Sequence, residues 1–135
     1  SLLNTMLTIL EAERKKSHRH HFSTHHDSPF VKFLQLVEEN YHQPVGVYFY
    51  AEKLHMSSRN LNLICRQILQ KSITEIIQTR RLIEAKNLLT TTNMSVSEIG
   101  FELGYREKSY FSNMFKRKTG KTPSEFRAEI NTLFS

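Results

Sequence analysis

The chain has 135 residues, enough for one compact domain with its own core and hardly enough for two. An excess of Lys and Arg gives a formal net charge of +6, which favours a polyanionic partner over a pocket for acidic substrates. The single cysteine, Cys65, excludes an intrachain disulfide and suits a reducing, cytoplasmic compartment; no stretch resembles a signal peptide or approaches the roughly 18 apolar residues of a membrane helix, so no membrane contact is expected.

Residues 1–27 differ from the rest. Leu3, Leu7 and Leu10 recur at helical spacing beside Met6, which predicts a short amphipathic helix running out into Glu11–Lys16. His18, His20, His21, His25 and His26 follow in a stretch without apolar periodicity, which reads as a linker. Imidazoles bind zinc or nickel, but no cysteine and no element that would fix ligand geometry accompanies them, so neither a metal nor another cofactor is expected. Ser1 in place of Met is what an excised or processed fragment shows, and removal of an initiator Met gives the same start. The expected division is therefore 1–27, a helix and linker left from an upstream domain, and 28–135, a helical domain.

From Ser28 onward every signal is helical. Ser28 and Pro29 make an N-cap with proline at the first helical position, opening a helix that buries Phe30, Phe33, Leu34 and Val37 and ends near Asn40. Ser72 with Glu75, Ser95 with Glu98, and Thr122 with Glu125 are three capping boxes and fix three further helix starts. A long helix is expected from about Thr74 to Leu89. No polar-apolar alternation or Asn-Gly turn appears, so no sheet is expected.

The chain also echoes itself. Val47, Tyr50, Ala51, Leu54 and Met56 recur forty-nine positions on as Val96, Ile99, Gly100, Leu103 and Tyr105. After one inserted residue the offset becomes fifty: Leu61, Ile64 and Cys65 match Phe111, Met114 and Phe115, and the Ser72 capping box matches that of Thr122. Two copies are too few for a solenoid and indicate a duplication. In each copy a small residue, Ala51 or Gly100, leaves room for a steeply crossing helix. His55 or Gly104 then stands where a left-handed residue would end the first helix, and Ser57 caps the next one in the first copy. Short helix, tight turn and second helix make a helix-turn-helix.

Ile99–Tyr105, Ser109–Arg117 and Gly120–Arg127, with Arg81–Leu89 before them, resemble the C-terminal signature of the AraC/XylS transcriptional regulators, over roughly a hundred residues from Phe30. The resemblance implies an all-α, seven-helix domain in which two helix-turn-helix subdomains are joined by a long connecting helix. It also implies a bacterial, nucleoid-associated transcription regulator that contacts RNA polymerase, and an N-terminal sensing or dimerisation domain elsewhere in the protein through which a homodimer would form.

The physics agrees with a reader of double-stranded DNA. The long helix would span roughly 25 Å, and successive major-groove entries on one DNA face lie about 34 Å apart, so one chain would fill two adjacent segments of an asymmetric site. Any mismatch would be met by bending the duplex, at a cost of order 1–6 kcal/mol. By position on the two recognition helices, Arg59, Asn62, Lys108, Ser109, Ser112 and Asn113 are the expected base contacts. Ser58, Arg66, Lys116, Lys118, Lys121 and Thr122 are the expected phosphate contacts, each weighed against a solvated surface role. Two positions depart from the family pattern. Leu63 stands outward where a polar reader is usual, and would either meet a thymine methyl or pack locally. Arg106 stands where a better helix cap is usual. The second copy is accordingly expected to discriminate sequence at least as well as the first.

No catalytic reading competes. Asp27 is the only aspartate, and no G-x-S-x-G, Walker, zincin or Rossmann fingerprint occurs. Cys65 aligns with Phe115 and reads as a core thiol. The alternative is a basic helical module that meets an acidic protein.

Overall fold

The computed structural model describes residues 28–134. Expectations for the N-terminal helix and the histidine run lie outside them. Among the described residues there are seven helices and no strand: α1 (Pro29–Asn40), α2 (Val47–Lys53), α3 (Ser58–Leu69), α4 (Ile73–Thr91), α5 (Val96–Glu102), α6 (Lys108–Thr119) and α7 (Pro123–Leu133). The bounds of α2 and α5 differ by forty-nine and those of α3 and α6 by fifty, as the internal echo requires.

The described residues form two compact units, 28–40 with 46–76 and 41–45 with 77–134. In the first, α1 contributes Phe30, Phe33, Leu34 and Val37 to a core completed by Tyr50, Ala51, Leu61, Cys65, Ile73 and Ile76, all at most 3% exposed. Phe33 and Tyr50 meet edge to face, with ring centroids 5.6 Å apart. In the second, Ala85 and Leu89 of α4 pack with Ile99, Leu103, Phe111, Met114 and Phe115. Phe111, Phe115 and Phe126 form a run of ring contacts across α6 and α7.

All three capping boxes form. Ser72, Ser95 and Thr122 each accept a hydrogen bond from the backbone N–H three residues on, and Glu75, Glu98 and Glu125 each accept from the cap's own N–H. The bond from the Ser95 N–H holds Glu98 below the usual carboxylate range, and the Thr122 N–H does the same for Glu125. α4 runs from Ile73 to Thr91, one residue earlier and two later than the sequence indicated, or about 28 Å at 1.5 Å per residue.

Two arginines, buried Arg81 and half-buried Arg127, hold loops whose carbonyls are distant in sequence. Within the second unit, Arg81 donates from Nε to the Tyr41 carbonyl at 2.7 Å and from Nη2 to that of Gln43 at 2.9 Å, while lying over the Tyr105 ring. The segment 41–45, which follows α1, is thereby fixed in that unit. Arg127 on α7 donates to the carbonyls of Leu89, Thr92 and Met94, satisfying the end of α4 and the turn after it.

Candidate nucleic-acid interface

The two turns match bond for bond. In the first unit His55 N–H donates to Glu52 O and Met56 N–H to Ala51 O, both at 3.1 Å; in the second Gly104 N–H donates to Phe101 O at 3.1 Å and Tyr105 N–H to Gly100 O at 2.9 Å. This is the Schellman arrangement, and it needs a left-handed residue: φ is +56° at His55 and +90° at Gly104. In the second unit the small residue before the turn matters as well. A Cβ on Gly100 would stand 3.1 Å from Phe111 Cβ, so α6 crosses close above it. The second helix of each pair ends on another matched left-handed pair, Gln70 at φ +54° and Gly120 at +83°. The sequence offset of fifty aligns this pair as well.

These turns leave one face of α3 and of α6 uncovered. On α3, Leu61 and Cys65 face the core, while Arg59, Leu63 and Arg66 lie exposed at i, i+4 and i+7. The equivalent stripe on α6 is Ser109, Asn113 and Lys116, also exposed, flanked by exposed Lys108, Tyr110, Arg117 and Lys118. Lys116, Arg117 and Lys118 also sit in the last turn of α6, where cations offset the helix dipole. Leu63 is 50% exposed, so half of its surface is open to a partner. Cys65 is fully buried and its thiol is pushed up to about 12 by burial, which fits a core role rather than a nucleophilic one.

Three expected contacts are already engaged within the chain. Asn62 is half-buried, and its Oδ1 accepts a 3.0 Å hydrogen bond from the backbone N–H of Ile73, the first residue of α4. Its oxygen thereby satisfies an otherwise orphaned donor, a contact the helical wheel does not register. The counterpart of Ile73 is Pro123, which has no N–H, and there the counterpart of Asn62 is Ser112, half-buried on α6. Thr122 has its N–H and hydroxyl committed to Glu125, whose carboxylate occupies the N-terminus of α7 where a phosphate was expected. Lys121 pairs with Glu129. The remaining expected contacts stand on the surface of α3 and α6, with Ser58 half-buried at the start of α3.

The starts of the two helices differ. Ser57 caps α3, accepting from Asn60 N–H at 3.1 Å. The N-cap of α6 is Glu107, one residue beyond Arg106, and it makes no side-chain cap bond. Arg106 is the inserted residue of the repeat.

Among the described residues no helix is long and apolar enough to cross a membrane, and no cluster of His, Cys, Asp and Glu is arranged to hold a metal ion.

Residues 50–129 match a family model described as a helix-turn-helix domain. The chain is 38% identical over 78 residues to the arabinose operon regulatory protein of Salmonella typhimurium, covering 58% of this chain and 28% of that protein. It is 31% identical over 129 residues to the transcriptional activator RhaR of Yersinia pestis, covering 93% of this chain and 44% of RhaR. Its fold is similar to the DNA-binding domain of the transcriptional factor AdpA, solved in complex with a target DNA, with a TM-score of 0.73 at 25% identity over 77% of this chain and 94% of that one. The chain thus spans less than half the length of the curated relatives it matches. With both turns, both recognition helices and the connecting helix inside or overlapping the matched segment, the chain belongs to the helix-turn-helix family of the AraC type.

Proposed function

We propose that this chain is the DNA-reading part of a bacterial transcription regulator, in which α3 and α6 each enter a major groove on adjacent segments of promoter DNA. The observation that carries the reading is the exposed stripe each turn presents: Arg59, Leu63 and Arg66 on one helix, Ser109, Asn113 and Lys116 on the other. The AdpA domain, which binds its target DNA, supports it through its similar fold. Arg59, Lys108, Ser109, Ser112 and Asn113 take base edges; Ser58, Arg66, Lys116 and Lys118 take phosphates. Asn62, Lys121 and Thr122 are left out because Asn62 Oδ1, the Lys121 ammonium and the Thr122 N–H are engaged within the chain. The regulator acts in the cytoplasm on the nucleoid without catalysing a reaction. It contacts RNA polymerase once bound and dimerises through a domain outside these residues, as its relatives' greater length accommodates.

Fluorescence anisotropy with labelled random and genomic-promoter duplexes, read across salt concentration, tests this. Affinity should fall steeply as salt rises, and Lys116→Ala or Arg66→Ala should each lower the logarithmic salt slope by about one. Asn113→Ala should relax selectivity instead. A flat salt response without sequence preference would refute DNA reading and favour a basic protein-interaction module.

A further inference from the structure

The first recognition helix has little polar chemistry left at its centre. Asn62 gives its amide oxygen to Ile73, so the middle of the outward stripe is held by Leu63 alone, half exposed, with Arg59 one turn before it and Arg66 one turn after. A single exposed leucine is ordinary on a protein surface. This one stands between two guanidiniums, at the position where the other copy carries Asn113. The major groove offers one apolar feature to such a side chain, the C5 methyl of thymine, and a guanidinium beside it finds its best partner on a guanine or a phosphate.

Resting on the DNA-reading function proposed above, we infer that Leu63 is a specificity-determining residue that covers a thymine methyl, so that the segment under α3 is chosen by an apolar contact beside Arg59 and the segment under α6 by hydrogen bonds alone. Cytosine in that place presents an amino group and no methyl. The two halves of the site then obey different rules: the α3 half responds to removal of one methyl group, the α6 half to removal of amide and amine donors.

The test begins with selection of a binding site from a random duplex pool with the full chain. Each thymine of the selected site is then replaced in turn by deoxyuridine, which removes the methyl and leaves every hydrogen-bonding group in place. At one thymine the unsubstituted protein should bind about fourfold more weakly without the methyl, the value for burying one methyl-sized group. Leu63→Ala should bind the thymine and deoxyuridine duplexes alike at that position, and Leu63→Asn, which copies Asn113, should likewise lose the methyl response. Leu63 is exposed, so both variants should keep the far-ultraviolet circular dichroism of the parent. Indifference of the unsubstituted protein to every deoxyuridine, or an undiminished response in Leu63→Ala, would overturn the methyl contact while leaving DNA reading intact. A pool that yields no enriched site would overturn the DNA-reading function and this contact with it.

Discussion

Replacing Asn62 by Ala removes the one side-chain acceptor of the Ile73 N–H among the described residues. A fully buried donor left unpaired costs about 1–3 kcal/mol, and because this site is half-buried water recovers part of that, leaving about 1 kcal/mol. For a folded region of this size the loss lowers the melting temperature by about 4–6 °C. The specific claim concerns why the asparagine is there, and a double-mutant cycle reads it. Ile73→Pro removes the donor, copying Pro123 in the second unit, and has its own cost because Ile73 is buried. In that background Asn62→Ala should cost close to nothing, giving a coupling energy of about 1 kcal/mol by thermal or urea unfolding. Equal costs of Asn62→Ala in both backgrounds would refute the account, and a large loss of DNA selectivity with unchanged stability would return Asn62 to the reading face.

The left-handed positions should respond with opposite signs. Gly104→Ala should destabilise by more than about 1 kcal/mol, since its Cβ would also stand 2.7 Å from the Gln43 carbonyl oxygen, whereas His55→Gly should stabilise by about 0.5–1 kcal/mol, as melting curves will show. Glu98 and Glu125 are held below their ordinary value of 4.5, so their caps contribute fully above that pH and are lost as pH falls through the lower folded values; Glu98→Gln with Glu125→Gln should flatten the acid side of the stability-pH curve. Cys65, fully buried with its thiol pushed up to about 12, should resist a neutral-pH thiol reagent in the native protein and react once it is unfolded in urea.

Signals written within a few residues were legible in the sequence, and those that depend on folding were not. A capping box is an S/T-x-x-E pattern, so all three could be read and all three form. The Schellman turns were legible because the two copies align a glycine with a histidine. The hydrogen bond of Asn62 was not legible, because a helical wheel registers which side a residue points to and its partner lies eleven residues on, in the next helix. Arg81 and Arg127 looked like ordinary family or surface charges. Their roles depend on carbonyls 33 to 40 residues away, which no local pattern encodes. The candidate interface divides in the same way: which helices carry it followed from the repeat, while which side chains remain available on it followed only from the hydrogen bonds.

The two copies reach one geometry by different chemistry. At both left-handed positions the first copy uses a side-chain-bearing residue, His55 and Gln70, and the second uses glycine. A left-handed non-glycine residue costs roughly 1 kcal/mol or more, so the first unit's frame carries conformational strain that its core must offset. At the helix that follows, the first copy satisfies a donor with Asn62, whereas the second removes the donor with Pro123. Each solution constrains the recognition helix beside it. Spending Asn62 on the frame leaves Leu63 at the centre of the α3 stripe, while Pro123 leaves Ser112 without that duty and Asn113 beside it on α6. The difference between the two reading faces is therefore partly a consequence of how each frame closes its own hydrogen bonds. A substitution that gives the first frame the second's solution, such as Ile73→Pro, would release the Asn62 amide oxygen from that duty on α3.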